Sequence, residues 1–179
     1  MENKIKVVVV DDHDLIREGL NRIISFEEDL LIYEKLKNGK EVIEYLTYND
    51  EPDVILLDIN MPCMNGIEAL KILKEEYKSI KVIMLTVEND KKTILEAMDM
   101  GADGYILKES AGSDIVTAIR RVYNDENYID KSLLNIMFTG IKNEIELTDG
   151  RKEIRKILSK REISILKELA NGLKNKEIA

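Results

Sequence analysis

The stretch KVVVVDD (6–12) joins a run of four valines to two aspartates. Uninterrupted β-branched runs of this kind are typical of strands buried on both faces, as in a parallel sheet covered by helices. The runs DVILLD (53–58) and KVIMLT (81–86) repeat the pattern, and LLIYEKL (30–36) and GYILK (104–108) are weaker versions of it. Apolar residues at spacings of three and four lie between the runs and predict helices. Five strands that alternate with five helices over about 125 residues predict an α/β doubly wound parallel sheet.

The composition limits the classes of protein to which the chain can belong. It has 179 residues, of which 44% are hydrophobic and 35% charged, so it can bury a core and solvate its surface. No segment approaches the roughly 18 consecutive apolar residues that a membrane span needs. Cys63 is the single cysteine and therefore permits no internal disulfide. These features predict a cytoplasmic protein that does not enter the membrane.

The distribution of charge predicts a second, different segment at the C-terminal end. The formal net charge is −8, yet residues 151–179 carry nine Lys or Arg and four Glu. Within this basic segment, Ser159 and Glu162 have the spacing of a capping box, which indicates a helix start, and Gly172 stands where that helix would end. The polar stretch NDEN (124–127) marks a boundary, so residues 125–158 are predicted to be a linker. A short helix is expected in this linker, with Asp130 as its N-cap.

Polar residues follow four of the five predicted strands. Asp11 and Asp12 follow the first strand and Asp58 ends the third, whereas Thr86 ends the fourth and Lys108 the fifth. The carboxyl ends of parallel strands meet at one edge of the sheet, where ligands bind in open α/β folds. Three neighbouring carboxylates repel one another unless a cation compensates, and oxygen ligands suit Mg²⁺.

With a cation bound, one carboxylate can attack phosphorus, while the ammonium group of Lys108 and the hydroxyl group of Thr86 hold phosphoryl oxygens. Each residue also has an ordinary structural explanation, such as a helix cap for Asp12 or a surface position for Lys108. Five such coincidences at one edge are less expected than one shared site. The two neighbouring candidates, His13 and Cys63, are interpreted as loop residues without a chemical role.

The segments that carry these residues resemble the receiver domain of bacterial response regulators. The similar segments are VVVVDDHD (7–14), ILLDINMPCMNGIEAL (55–70), VIMLT (82–86) and DGYILKES (103–110). The resemblance covers about residues 4–124 and implies a receiver domain over 1–124. It also implies the flavodoxin-like (βα)5 fold, with strand order 2-1-3-4-5 and a short all-α tail after it.

The resemblance implies a role for each residue of the predicted site. Asp58 would be the phosphoacceptor. Asp12, Asp58 and the backbone carbonyl of Asn60 would bind Mg²⁺ directly, and Asp11 would act through a metal-bound water. A receiver of this kind catalyses only its own phosphorylation and dephosphorylation and is not otherwise an enzyme.

Thr86 and Lys108 would hold the phosphoryl group, and Thr86 and Tyr105 would form the switch. In the family, the aromatic ring at the Tyr105 position turns inward as the threonine moves toward the phosphate. Two residues depart from the commonest family pattern. Val87 replaces a small residue and is predicted to narrow access to Asp58. Glu109 replaces a proline that follows a cis bond, so a trans bond is expected after Lys108.

The stretch LSKREISILKELANGLKNKEIA (158–179) resembles the beginning of the LuxR-type helix-turn-helix domain of NarL-like response regulators. Residues 159–179 are therefore expected to be a truncated helix-turn-helix that lacks its recognition helix, so no DNA-binding residue is assigned. The combination implies a transcription regulator that a sensor histidine kinase phosphorylates, that binds DNA in its full-length form, and that forms a homodimer on phosphorylation.

Three alternatives compete with this interpretation. An output-less receiver would act through protein–protein contacts alone. A metal-dependent phosphatase would carry its nucleophile on the first strand, followed two residues later by an acid, whereas Asp11 and Asp12 are adjacent here. A flavin-binding protein would need a phosphate loop after the first strand, and the acidic DDHD (11–14) would repel a phosphate group.

Overall fold

The computed structural model describes residues 4–87 and 91–134 of the chain. Strands and helices alternate along this part, each strand being followed by a helix that returns the chain to the same edge of the sheet. The elements are β1 Ile5–Val10, α1 Asp14–Ser25, β2 Leu30–Leu36, α2 Gly39–Tyr48, β3 Val54–Asp58, α3 Gly66–Glu76, β4 Lys81–Thr86, α4 Lys91–Asp99, β5 Gly104–Leu107, α5 Ala111–Tyr123 and β6 Tyr128–Ile129.

The sheet has the order β2-β1-β3-β4-β5-β6, and every neighbouring pair is parallel. The predicted doubly wound fold and its strand order 2-1-3-4-5 are therefore confirmed. The two-residue strand β6 was not predicted and lies beside β5, where Gly104 pairs with Tyr128 and Tyr105 with Ile129. It belongs to the segment that the sequence indicated as linker.

Strands β1, β3, β4 and β5 are buried on both faces, as expected for their apolar runs, whereas the edge strand β2 is only partly buried. Alternate side chains face opposite sides because the side-chain period of a strand is two. Val8 of β1 and Ile55 of β3 belong to the cluster beneath α2, α3 and α4. Val9 of β1 and Leu56 of β3 belong to the cluster beneath α1 and α5. This two-sided burial fixes the register of the central strands and hence the positions of the residues at their carboxyl ends.

The beginning of the predicted linker helix is present. Residues 131–134 are helical, and Asp130 Oδ1 accepts a hydrogen bond from Ser132 N at 2.7 Å, as expected for an N-cap. The rest of the linker, residues 135–158, and the helix-turn-helix segment 159–179 lie outside the described residues. Within the described part of the chain, no helix has the length and apolar character that crossing a membrane would require.

Candidate functional site

The structure brings the predicted residues together at the carboxyl edge of the sheet. Lys108 follows β5, and its ammonium nitrogen lies 2.7 Å from Asp11 Oδ2 and 2.9 Å from Asp58 Oδ2. Asp11 follows β1 and Asp58 ends β3, which are neighbouring strands. The ammonium group of Lys108 thus bridges the carboxylates of Asp11 and Asp58, which lie 47 positions apart in the sequence. The backbone N–H of Lys108 also donates to Thr86 O at 2.8 Å, which ties the loop after β5 to the end of β4.

The carboxylates at the centre of the site are almost completely removed from water. Asp11 is 0% and Asp58 2% exposed. Burial raises the pKa of the Asp58 carboxyl group, while the hydrogen bond and positive charge of Lys108 oppose this increase. The neighbouring charge of Asp11 raises the pKa of Asp58 further, and the backbone N–H of Asn60 lowers it. The site therefore holds its charged groups at a considerable desolvation cost.

His13 is closer to this chemistry than its interpretation as a solvated loop residue suggested. Its Nδ1 atom lies 2.8 Å from Asp12 Oδ1 and 3.1 Å from Asp11 Oδ1. Its backbone N–H also donates to Asp11 Oδ1 at 2.9 Å. The ring remains 63% exposed, so His13 lies across the mouth of the site. The only indication in the sequence that His13 would contact the two aspartates was its position directly after them.

Arg17 supports the site from α1 and was not identified in the sequence. Its buried guanidinium group donates to the backbone carbonyl of Asp11 and pairs with the exposed carboxylate of Asp14. A guanidinium group presents several donors in a fixed plane, so one Arg17 side chain can orient the loop and remain paired at once. The sequence does indicate this position, since Arg17 is the fourth residue of α1, the helix that begins three residues after Asp11.

The loop after Asp58 is held against the edge of the sheet. Ile59 N donates to Leu85 O at 3.1 Å, and Gly66 N donates to Ile59 O at 2.8 Å. α3 then begins with a complete capping box between Asn65 and Glu68. This loop brings Asn60 next to Asp58, as the hydrogen bond from its backbone N–H shows. A metal contact of the Asn60 carbonyl stays a prediction.

The two residues that are predicted to form the switch occupy buried positions. Thr86 is 2% and Tyr105 1% exposed. Thr86 directly follows Leu85, the partner of Asp58 in the sheet, so it ends β4 one position beyond the level of Asp58. Val87 is 61% exposed, and its predicted effect on access to Asp58 stays a prediction. As expected, the bond between Lys108 and Glu109 is trans.

The donor atoms of the site fit a single divalent cation. Ligand atoms of Asp11, Asp12, His13 and Asp58 all lie within 4.8 Å of one another. Opposite ligands of an octahedral Mg²⁺ ion stand about 4.2 Å apart, since each bond is about 2.1 Å long. The site combines three carboxylates with one ammonium group, two of the carboxylates in contact with it, so its described residues carry an excess of negative charge. Both the spacing and the charge are compatible with Mg²⁺.

Comparison with known proteins agrees with this geometry. The family model of the response regulator receiver domain matches residues 7–120, and the model of bacterial regulatory proteins of the luxR family matches residues 156–179. Two curated relatives are transcription regulators. The chain is 39% identical to the transcriptional regulatory protein LnrK of Bacillus subtilis, over 98% of this chain and 81% of that protein. It is 34% identical to the nitrate/nitrite response regulator protein NarL of Escherichia coli, over 97% and 78%.

Solved structures share the fold of the described part. The signal receiver domain of the response regulator NarL from Mycobacterium tuberculosis aligns with a TM-score of 0.62 and 30% identity, over 68% of this chain and 98% of that one. The isolated receiver domain of RcsB from Salmonella enterica, solved with the phosphomimetic BeF3-, aligns with a TM-score of 0.70 and 23% identity, over 75% and 99%. The second match to the luxR family model favours a transcription regulator over an output-less receiver. The chain belongs to the response regulator family and combines a receiver domain with a LuxR-type helix-turn-helix segment.

Proposed function

We propose that Asp58 accepts a phosphoryl group from a sensor histidine kinase and that this event controls DNA binding and transcription. The observation that carries the proposal is the contact of 2.9 Å between Lys108 Nζ and the buried carboxylate of Asp58, within a cluster of further acids. A purely structural ion pair would need one carboxylate per lysine, whereas Lys108 faces two. Surplus carboxylates at the ligand-binding edge of an α/β sheet are expected where a cation and a phosphate have to meet.

The proposed reaction moves one phosphoryl group between two side chains. A carboxylate oxygen of Asp58 attacks the phosphorus of phosphohistidine, and the bond between phosphorus and the imidazole nitrogen breaks. The electron pair of that bond returns to the imidazole, whose other ring nitrogen carries a proton, so an acyl phosphate forms on Asp58 and a neutral histidine leaves. Asp58 has to be ionised for this attack, and the positive charge of Lys108 favours the ionised form against the effect of burial.

The surrounding residues have separate tasks in this reaction. The ammonium group of Lys108 would move from the free carboxylate of Asp58 to a phosphoryl oxygen. The Thr86 hydroxyl group would donate a hydrogen bond to a second phosphoryl oxygen. Asp12, Asp58 and the Asn60 carbonyl would hold Mg²⁺ directly, and Asp11 would hold it through water. The ion, when bound, neutralises negative charge on the transferring group. Arg17 would keep the backbone of Asp11 in place through its hydrogen bond to the carbonyl oxygen.

The output of the full-length form would be control of transcription by binding of DNA, in line with the name of one relative, the transcriptional regulatory protein LnrK. The basic residues of 151–179 support contact with a phosphate backbone. We propose homodimerisation on phosphorylation as part of the same response. A titration of DNA at several salt concentrations, with the phosphorylated and unphosphorylated full-length form, tests this output, and equal binding by both states would contradict it.

The acceptor assignment is tested by incubation with acetyl phosphate and Mg²⁺, followed by intact-mass measurement. The unsubstituted chain should gain one phosphoryl group and Asp58→Asn should gain none. Asp50→Asn, a change at an exposed aspartate, is the matched control and should be labelled normally. Equal labelling of Asp58→Asn and the unsubstituted chain would refute the assignment.

The metal assignment has an independent test that needs no phosphate. Mg²⁺ binds the native state, so millimolar Mg²⁺ should raise the thermal midpoint by mass action. The increase should be lost in Asp12→Asn, whose carboxylate is a proposed direct ligand. An identical increase in that variant would exclude Asp12 from the site.

A further inference from the structure

Strand β6 lies directly against the switch residue of the receiver. Tyr128 N donates to Asp103 O at 3.0 Å, and Asp130 N donates to Tyr105 O at 2.9 Å. The side chains beside Tyr105 on this new edge belong to the same core cluster, in which Ile129 is 7% and Leu133 0% exposed. The segment after α5 thus closes the side of the core in which the Tyr105 ring is buried.

The segment is anchored on both sides of the switch residue. At the amino end of β5, Asp103 Oδ2 accepts from Val82 N at 2.8 Å and from Lys74 Nζ at 2.6 Å. The backbone carbonyl of Asp103 accepts the first hydrogen bond of β6. The side chain of the same residue is held by β4 and α3, so Asp103 is a fixed anchor for β6.

Against α5, the Tyr128 hydroxyl group bonds to Asp114, and the Arg121 guanidinium group lies 5.6 Å from the centre of the Tyr128 ring. Burial and the charge of Asp114 raise the pKa of Tyr128 to about 12, as expected for a phenol held in a protected position. Tyr128 and Asp130 are therefore hydrogen-bonded to β5 and its preceding residue. Ile129 lies between them and pairs with Tyr105 in the sheet.

We infer that β6 and the helical turn after it position Tyr105, so that docking of residues 128–134 and phosphorylation of Asp58 stabilise each other. The inference rests on the proposed function, in which Thr86 and Tyr105 respond to the phosphoryl group. The Tyr105 ring is buried in the same core cluster as Ile129 and Leu133, so a ring that left this position would lose that packing. Coupling between two sites acts equally in both directions, so weakening β6 should weaken binding of the phosphoryl group.

The segment that connects the receiver to the rest of the chain therefore begins directly beside Tyr105. The chain continues from β6 and residues 131–134 toward residues 156–179, the LuxR-type match. A change in the position of Tyr105 would act on the first residues of that connection through the Tyr105–Asp130 hydrogen bond.

The test uses the 179-residue chain with Mg²⁺ and beryllofluoride as a phosphoryl mimic. The variant is Ile129→Ala and the matched control is Ile5→Ala. Ile5 is also 7% exposed but lies on β1, from which three strands separate β6, and belongs to the other core cluster. Both substitutions remove the same atoms from equally buried sites, so they should lower stability similarly. Only Ile129→Ala touches the proposed coupling.

We expect Ile129→Ala to weaken the affinity for beryllofluoride by about fivefold or more, the usual lower end for coupled sites. The control should change this affinity by less than about twofold, since distant sites act independently. In the unsubstituted chain, beryllofluoride should slow hydrogen exchange at the amides of Tyr128 and Asp130, a measurement that requires no substitution.

Unchanged exchange at these two amides, together with an unchanged affinity in Ile129→Ala, would overturn the inference and leave the proposed function intact. Equal weakening by Ile129→Ala and Ile5→Ala would also overturn it, because a general loss of stability would then explain the effect. Absence of Mg²⁺-dependent beryllofluoride binding in the unsubstituted chain would overturn the proposed function, and the inference with it.

Discussion

Substitution of Gly66 by alanine should displace Asp58, the proposed phosphoacceptor, by a predictable amount. Gly66 is the first residue of α3 and donates to Ile59 O at 2.8 Å. A Cβ atom at this position would lie 2.1 Å from the carbonyl oxygen of Asp58 and 2.9 Å from Ile59 Cα. Ordinary contacts of such an atom begin at 3.4 Å, so the two segments have to separate by about 1.3 Å. Both contacts are with backbone, which cannot rotate away as a side chain can.

The expected loss of stability follows from this displacement. Overpacking of a well-packed site costs about 1–3 kcal/mol, and the upper part of this range is expected because backbone has to move. A domain of this size loses about 4 °C in thermal midpoint per kcal/mol. The phosphorylation rate should fall by up to about 10²-fold, since a shift of about 1 Å in a reacting group has effects of that order. Thermal unfolding and the time course of labelling by acetyl phosphate measure the two effects.

Gly19→Ala is the matched control for this substitution. Gly19 lies inside α1, and nothing stands within 4 Å of the position that its Cβ would take. Because alanine favours a helix interior by about 0.5–1 kcal/mol over glycine, this variant should be more stable and should be labelled at the normal rate. If Gly66→Ala kept both the stability and the labelling rate of the unsubstituted chain, the close approach of α3 to Asp58 would not be a constraint on the site.

Four further changes have expected outcomes. Cys63 has a φ angle of 67°, so Cys63→Gly should stabilise the protein by about 0.5–1 kcal/mol in urea unfolding and Cys63→Ala should not. Arg120→Ala should cost about 0.2–1 kcal/mol. Arg120 hydrogen bonds lower the pKa of Asp29 below 3.8, so this contribution should be present above that pH and disappear as the pH falls through the lowered pKa. Alkaline difference spectra should show one tyrosine with a pKa of about 12 that is lost in Tyr128→Phe. Because this pKa is raised from 10.0, its contribution to stability should be present below pH 10 and disappear as the pH approaches 12. Val87→Ala should speed phosphorylation or dephosphorylation, and unchanged rates of labelling and decay would show that Val87 does not restrict access.

The sheet and its acidic edge could be predicted because their signals are local. Four consecutive valines indicate a strand buried on both faces, whatever packs against it, and the order of strands and helices limits the topology to few possibilities. A residue that directly follows such a strand has to lie at the carboxyl edge. The positions of Asp11, Asp58 and Lys108 therefore followed from the fold class before any distance was known.

The features that were not predicted depend on contacts between distant segments. Strand β6 has only two residues, too few to show a period, and it exists because the open edge of β5 offers it hydrogen-bond partners. The role of Arg17 depends on the direction in which α1 leaves the loop after Asp11. The ion pairs of Lys108 were anticipated as contacts to a phosphate, whereas in this state the same nitrogen contacts Asp11 and Asp58. That Lys108 pairs with these two carboxylates could be learned only from the three-dimensional structure.

The charges of the site explain why its acceptor should depend on a divalent cation. Asp11, Asp12 and Asp58 contribute three negative charges, Lys108 contributes one positive charge, and these side chains lie at one edge with little water around Asp11 and Asp58. A doubly charged cation balances the remainder, whereas a monovalent cation leaves the site negative and repels an incoming phosphoryl donor. In the proposed reaction, attachment of the phosphoryl group would release Lys108 from the Asp58 carboxylate and make it available to a phosphoryl oxygen. The same lysine would then stabilise the buried acids before the reaction and the product after it, which would account for its position between two carboxylates.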